Sequence, residues 1–309
     1  MAEGGSRDTR RRFTINRRFN TPSLLPIFSL TVLLLEIALA ERKGVSVLYE
    51  HLQSDRYLGS LEVETRIVEN QVVTEGPALD LAGDVYFTNI PTAKILKWNP
   101  NGKTRTELRT HSGNANGLRF AMNGDLLSCE VGSGRVTRTY MASGVISVLA
   151  EEYEGRGIQS PNDLDFDLGE RIYFSSWANN PDLAKDNLKA VYRIDPDRCI
   201  HQPLSESEIH MPNGVVLLPN EKTLYLIEAH PSDDRNRSIL AFDLESNGSI
   251  SNRHTLANLY PSRSGDGMCI DREGNLYFAP GLHNIRNDPG TLDTRLGIHV
   301  ISPEGILLA

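Results

Sequence analysis

Cysteine is scarce in this chain of 309 residues, which contains only Cys129, Cys199 and Cys269. Their positions follow no metal-binding spacing, and an odd number of cysteines cannot form a fully paired disulfide framework. We interpret each of them as a small buried apolar residue rather than a nucleophile.

Several catalytic signatures are missing as well. The eight histidines show no H-E-x-x-H spacing, which argues against a histidine-based zinc site. The sequence also lacks the G-x-S-x-G elbow of serine hydrolases, and the Gly132–Gly134 stretch (GSG) is typical of a hairpin turn. No long segment of the body has helical periodicity, so we predict an all-β fold.

Positive charge is concentrated at the N-terminus. Residues 1–40 hold six of the 32 basic residues and three of the 40 acidic ones, which leaves 26 basic against 37 acidic residues, a net charge of -11, in the remainder. Such a surface is unsuited to nucleic acid, so we expect no nucleic-acid partner. An acidic surface also suits a cation site. We expect the protein to be a monomer.

The first forty residues have the order of an export signal. Six arginines precede the apolar run Leu24–Ala40, which ends in small residues. We predict that residues 1–40 are a signal peptide or an N-terminal membrane anchor, and that residues 41–309 form the folded domain. The prediction is an exported protein with no stable membrane association after processing; anchoring by residues 24–40 is the alternative.

One short pattern repeats five times along the body. An acidic or amide residue is followed seven to nine residues later by a turn and then by a hydrophobic strand. The pitch of about 40 to 53 residues is typical of a propeller or solenoid, because one such unit cannot bury its apolar face alone. The repeated polar residues are Glu75, Asn116, Asn162, Asn213 and Asp266.

Short runs of Val, Ile, Tyr and Phe alternate with Gly, Asn, Asp and Pro clusters between these positions. Four short antiparallel strands per unit make a propeller blade. We interpret residues 44–70, with Val45–Tyr49 and Leu61–Val68, as a lead-in and an edge strand that helps to close the ring.

The repeated polar residue falls at the start of the innermost strand of each unit. Inner strands lie side by side around a propeller's central channel, so these five side chains should converge at one mouth of it. Two carboxylates and three amide oxygens form a hard-oxygen set that suits Ca²⁺ or Mg²⁺.

The chain resembles the SMP-30/gluconolactonase/luciferin-regenerating enzyme family, in particular its bacterial gluconolactonases, from about Glu64 to the C-terminus. The resemblance rests on the order and spacing of several short motifs. They are Thr74–Pro77 (TEGP), Ala115–Leu118 (ANGL) with Cys129–Glu130, Tyr153–Gly155 before Ser160–Leu164 (SPNDL), Pro212–Gly214 (PNG) and Asp266–Asp271 (DGMCID).

This resemblance implies a six-bladed β-propeller and a metal-dependent lactonase. Glu75, Asn213 and Asp266 then match the family's metal ligands, Asn162 serves the metal or the substrate, and Asn116 lines the substrate pocket. The cofactor implied is one divalent ion, foremost Ca²⁺, with Mg²⁺, Mn²⁺ or Zn²⁺ as alternatives.

Three departures from the family pattern stand out. Ser176 takes the place of an aspartate found in many bacterial members, and Ser160 that of an arginine found in animal enzymes. A sixth inner strand should also begin near residue 310 or later. We therefore predict that the last blade is incomplete at the C-terminus.

The predicted reaction is hydrolysis of a small sugar-like lactone. Asp266 is our candidate for the base that takes a proton from water, and Glu75 is the second choice. The alternative from another functional class is a non-catalytic calcium-binding propeller that serves as a binding scaffold. Specificity should lie in the loops at residues 177–188, 229–237 and 280–294.

Overall fold

The protein is a β-propeller, described here from a computed structural model. The described residues are 49, 52–60, 62–177, 189–229, 237–260, 262–281 and 294–309. Strands dominate these residues, and the one α-helix among them is the short α1, Ser54–Tyr57. The predicted leader, residues 1–40, lies outside the described part of the chain.

Four of the sheets are antiparallel meanders of four strands in chain order. The first blade contains β1 Thr74–Leu79, β2 Val85–Asn89, β3 Lys94–Asn99 and β4 Thr104–Thr110. The second contains β5 Ala115–Phe120, β6 Leu126–Glu130, β7 Arg135–Thr139 and β8 Ile146–Ala150. A small hairpin of β9 Glu152–Tyr153 and β10 Arg156–Gly157 follows.

The remaining blades repeat this arrangement. The third contains β11 Pro161–Phe166, β12 Ile172–Ser176, β13 Ala190–Ile194 and β14 Ile200–Leu204. The fourth contains β15 Pro212–Leu217, β16 Thr223–Ala229, β17 Arg237–Leu244 and β18 Ile250–Asn258. The fifth has three strands, β19 Gly265–Ile270, β20 Leu276–Pro280 and β21 His299–Ile301, with a bridge from Ile301 to Leu307.

The number of blades corrects the sequence prediction. The described residues form five blades, not six, and the fifth is the one short of a regular fourth strand. Each polar repeat starts one blade, and the chain carries five repeats, so the sixth blade was inferred from the family resemblance alone.

Apolar side chains fill the space between facing sheets. Phe174 and Tyr192 stack with ring centroids 5.2 Å apart between the second and third blades, and both are almost fully buried. Leu226 and Phe242 pack between the third and fourth blades. Since burial of one such side chain stabilises a fold by about 1.5–3 kcal/mol, these interfaces hold the blades together.

The cysteines partly match the sequence prediction. Cys129 and Cys269 are buried, whereas Cys199 is exposed, and all three are free thiols. Cys199 lies in the turn between β13 and β14, where its backbone N–H donates to Asp197. The expectation of a buried Cys199 was therefore wrong, because its position is a surface turn.

The inner strands pack in an arc that runs β1, β5, β11, β15 and β19. No comparable packing joins β19 back to β1 in the described part of the chain. Residues 49, 52–60 and 62–72, which we call the N-terminal segment, lie across this flank. The sequence predicted an edge strand here, but the described residues of the segment contain only α1.

The first half of the N-terminal segment contacts the fifth blade. The Tyr49 ring meets the His299 ring edge to face at 5.6 Å, and the Arg295 guanidinium lies 4.6 Å from the Tyr49 ring centroid. The Gln53 N–H donates to the Leu308 carbonyl at 3.2 Å. This half therefore covers the flank of the last blade.

The second half contacts the first blade. Glu69 accepts hydrogen bonds from Asn89 at 2.9 Å and from Lys94 at 2.8 Å. Arg105 of β4 donates to the Arg66 carbonyl. The segment thus joins the last blade to the first through individual contacts, most of them made by side chains, rather than through a sheet. None of the described helices is long and apolar enough to span a membrane.

Candidate functional site

The five repeated polar residues occupy the same place in every inner strand. Each is the second residue of its strand, and the pairing with the next strand is interrupted there by a bulge. A β-bulge inserts an extra residue and re-aims a side chain. In the first blade the bulge lies between Glu75 and Ala78. In the others it lies between the first and the fourth residue of the inner strand: Ala115 and Leu118, Pro161 and Leu164, Pro212 and Val215, and Gly265 and Met268.

Glycine follows the polar residue in most blades because the next inner strand comes very close. A Cβ on Gly76 would lie 2.2 Å from the Asn116 carbonyl oxygen. A Cβ on Gly117 would lie 2.7 Å from the Asn162 carbonyl oxygen, and one on Gly214 2.7 Å from that of Asp266. The repeated Asn-Gly or Glu-Gly pair therefore brings neighbouring polar residues together around the axis.

The structure places four of the five predicted site residues on the wall of one cavity. Glu75, Asn116, Asn162 and Asn213 line it. Asp266 adjoins them, since Asn213 Nδ2 donates to Asp266 Oδ1 at 2.8 Å. Residues that are far apart in the chain thus come together at one cavity, while the roles predicted for them stay predictions.

Glu75 lies among like charges. Loss of solvent, and then the charges of Asp266 and Asp163, raise the pKa of its carboxyl well above the usual value, while a backbone N–H from Gly76 acts in the opposite direction. The protein therefore compensates the ionised form of Glu75 only in part. A cation or a proton at this place would relieve the repulsion.

Asp163 is a site residue that sequence reasoning missed. It occupies the position that is glycine in the other four blades, and its side chain lines the same cavity. Burial raises the pKa of the Asp163 carboxyl to about 7, although it accepts N–H groups from Leu164 and Val215. The sequence contained this signal, because Asp163 is the one acid at a position that is glycine in the other four repeats.

Arg119 and Asp165 were also missed. They are the third residues after Asn116 and Asn162, they line the cavity, and Arg119 Nε lies 3.0 Å from Asp165 Oδ1. The equivalent positions in the other blades are Ala78, Val216 and Cys269. The sequence contained a signal for this pair, because two opposite charges occupy positions in consecutive repeats where the other repeats have small or apolar residues.

Ser176 has a structural partner of its own. It pairs with Pro161 across the sheet, is fully buried, and donates from Oγ to the Gln159 carbonyl at 2.5 Å. Glu228 has the equivalent position in the fourth blade and accepts the N–H groups of His210 and Met211 at 2.8 and 2.6 Å. These residues hold the chain as it enters each inner strand.

The described residues contain no group of three or more His, Cys, Asp and Glu side chains spaced to hold a metal ion. A cation at this mouth would therefore depend on a mixed set of carboxylate and amide oxygens. The predicted specificity loops, 177–188, 229–237 and 280–294, fall almost entirely outside the described residues.

Known proteins resemble this chain over most of its length. A gluconolactonase from Zymomonas mobilis is 27% identical over 260 residues, which cover 75% of this chain and 67% of that protein. Regucalcin from Oryctolagus cuniculus is 26% identical over 241 residues, 76% of this chain and 77% of the relative. A solved gluconolactonase from Xanthomonas campestris superposes with a TM-score of 0.62 and 26% identity, and covers 77% and 76% of the two chains.

The sequence model of one family, described as the SMP-30/Gluconolactonase/LRE-like region, matches residues 73–300. This span runs from the first inner strand to the last strand of the fifth blade and includes all five repeated polar residues. The chain therefore belongs to the SMP-30/gluconolactonase/LRE-like family, as its motifs had indicated.

Proposed function

We propose that this protein is a lactonase that hydrolyses a small sugar-like lactone with the help of a divalent cation. The observation that carries the proposal is the convergence of Glu75, Asn116, Asn162 and Asn213 on one cavity, with Asp266 hydrogen-bonded to Asn213. The similarity to two gluconolactonases supports the reaction class.

The residues present fit a hard divalent cation. Three carboxylates, those of Glu75, Asp163 and Asp266, interact electrostatically at one mouth of the channel. Carboxylate and amide oxygens are the ligands that Ca²⁺ prefers. We propose Glu75, Asn162, Asn213 and Asp266 as the ligands, and Ca²⁺ as the first candidate ahead of Mg²⁺, Mn²⁺ or Zn²⁺. When bound, such an ion polarises a carbonyl and lowers the pKa of water.

Asp266 is the proposed general base. Asn213 Nδ2 donates to one oxygen of its carboxylate and so fixes the plane of the group. Asp266 takes a proton from water as the water oxygen bonds to the lactone carbonyl carbon. The ring C–O bond then breaks and the ring oxygen receives this proton from Asp266. The second proton of the water is released to solvent from the new carboxyl group, and a hydroxy carboxylate leaves.

Asn116 and Asn162 are the proposed substrate-positioning residues. Both line the cavity, and Asn162 is 8% exposed, so its amide has little freedom to move. Neutral amides orient lactone oxygens without adding negative charge beside Glu75. Their backbones are also fixed: the Asn116 carbonyl accepts a hydrogen bond from Thr88 at 3.2 Å.

A hydrolysis assay with metal control tests the proposal. The protein is treated with EDTA, supplied with CaCl₂, and assayed with D-glucono-1,5-lactone by proton release. We expect calcium-dependent turnover that Asp266→Ala lowers by at least about 10²-fold, the usual contribution of a general base. Asp243→Asn, an exposed acid of β17, is the matched control and should keep the rate.

Retained turnover in Asp266→Ala would remove this residue from its role. A protein that CaCl₂ stabilises but that shows no turnover on a panel of lactones would instead be the calcium-binding scaffold. The similarity to regucalcin gives that second candidate its support. The expected monomeric state and export of the protein remain proposals.

A further inference from the structure

The third residue after the repeated polar residue lines the cavity in the second, third and fourth blades, where it is Arg119, Asp165 and Val216. In three blades this residue is small or apolar, and in the second and third blades it is Arg119 and Asp165. A charge buried alone is costly, so a pair of opposite charges at adjacent positions is the arrangement that a fold tolerates.

Asp165 is fully engaged by its neighbours. Its Oδ1 lies 3.0 Å from Arg119 Nε and also accepts the Phe166 N–H at 3.0 Å. Its Oδ2 accepts the Leu217 N–H of the fourth blade at 2.9 Å. With its side chain 4% exposed, Asp165 is a fixed anchor that ties Arg119 to the inner strands of the third and fourth blades.

Arg119 is held by one nitrogen only. A guanidinium has five N–H donors, and Asp165 engages the Nε group. In the described part of the chain, the two terminal nitrogens of Arg119 form no hydrogen bond with a protein acceptor. The side chain is 33% exposed and Arg119 belongs to the residues that line the cavity, so its remaining donors are available to a ligand.

Arg119 is the one basic side chain among the described residues that line this cavity; the charged groups beside it are the acids Glu75, Asp163 and Asp165. The terminal edge of a guanidinium matches a carboxylate through two parallel hydrogen bonds. A neutral lactone offers no such partner, whereas a hydroxy carboxylate does.

We infer that Arg119, positioned by Asp165, is the binding residue for a carboxylate group of the ligand on the wall of this cavity. The inference deepens the proposed lactonase function and rests on it. The carboxylate has two possible sources: the acid released when the lactone ring opens, or a carboxyl group that the substrate carries before reaction.

Calorimetric titration of the full chain in CaCl₂ tests the inference with two probes. D-gluconate represents the released acid, and D-glucaro-1,4-lactone represents a substrate with its own carboxylate. We expect Arg119→Met to weaken binding of one or both probes at least about ten-fold, the loss typical of hydrogen bonds to a charged group. The stabilisation of this variant by CaCl₂ should remain.

Arg171→Met is the matched control. Arg171 also pairs through Nε with an aspartate of the third blade, Asp167, at 2.6 Å, but it does not line the cavity. This variant should bind both probes as the wild type does. Equal binding by Arg119→Met and Arg171→Met, or no binding of either probe by the wild type, would overturn the inference.

Should Arg119→Met fail to fold because Asp165 is left unpaired, the double variant Arg119→Val with Asp165→Val replaces it. That variant places valine at both positions, as Val216 does in the fourth blade. Its binding of the probes should weaken in the same way. A wild type that binds gluconate through Arg119 but hydrolyses no lactone would contradict the proposed function and leave the carboxylate site standing.

Discussion

The four interfaces between consecutive blades differ in kind from the flank between the fifth blade and the first. Within the arc, inner strands meet backbone to backbone, and polar groups cross from one blade to the next. Thr88 Oγ1 donates to the Asn116 carbonyl, Arg119 pairs with Asp165, Asp165 accepts the Leu217 N–H, and Asn213 donates to Asp266.

At the flank, the N-terminal segment joins the fifth blade to the first mainly through side chains. Tyr49 docks on Arg295 and His299, and Glu69 binds Asn89 and Lys94. The difference shows that one repeated motif specifies four interfaces, because each needs a following inner strand. At the flank no inner strand follows among the described residues, so contacts of individual residues connect the two blades.

The largest expected effect comes from filling a close approach in the arc. Gly76→Ala should lower the free energy of unfolding by roughly 3–5 kcal/mol, since the new Cβ meets backbone atoms 2.2 and 2.7 Å away and the residue has φ +52°. Gly124→Ala is the control, with φ +82° and open space, and should lose only about 1–2 kcal/mol.

Denaturant midpoints of the two variants measure this difference. Equal losses would mean that left-handed backbone strain alone matters, and that close packing of the inner strands does not hold the arc together.

A smaller effect is expected at the flank. Tyr49→Ala removes the contacts with Arg295 and His299 and should lower the free energy of unfolding by about 1–3 kcal/mol. Tyr49→Phe keeps the ring and should retain most of the stability. Hydrogen exchange should speed up in β21 and not in β11. Faster exchange throughout the arc would show that the flank is not a separate unit of stability.

The smallest effect is a dependence on pH at the same flank. Burial lowers the pKa of the His299 imidazole below its usual value of 6.5, and the charge of Arg295 acts in the same direction, while a backbone hydrogen bond to Arg295 opposes both. The rings of Tyr49 and Phe278 pack against it without charge.

The unfolded chain therefore takes up the His299 proton first as pH falls. The stability that neutral His299 provides is complete above pH 6.5 and is lost as pH falls through the lowered folded pKa. Between pH 7.5 and pH 5.5, the melting temperature of the wild type should fall further than that of His299→Gln. The carboxyl groups of the cavity are present in both proteins, so the difference between the two changes in melting temperature isolates the effect of His299. Equal changes in the two proteins would exclude this contribution.

Much of the arc could be predicted from the sequence because its signals are local and repeated. The turn after each inner strand, the strand pairs and the place of Glu75 or Asp266 at the strand start all follow from a pattern of a few residues. The individual contacts at the flank could not be predicted, since Tyr49 and Arg295 are 246 positions apart and neither belongs to a repeat. A family resemblance supplied the sixth blade instead, and the described residues do not contain it.

The site divides in the same way. The repeated polar residues could be predicted because they recur in every unit, whereas Asp163, Arg119 and Asp165 depart from the repeat and stand out only when the five repeats are aligned with one another. Taken alone, the sequence determined the repeating unit, because strand, turn and bulge depend on residues within a few positions of each other. The tertiary structure decided which charges face one another across the channel and how the arc is joined at its flank, because electrostatic and packing energies depend on distances that the order of residues does not contain.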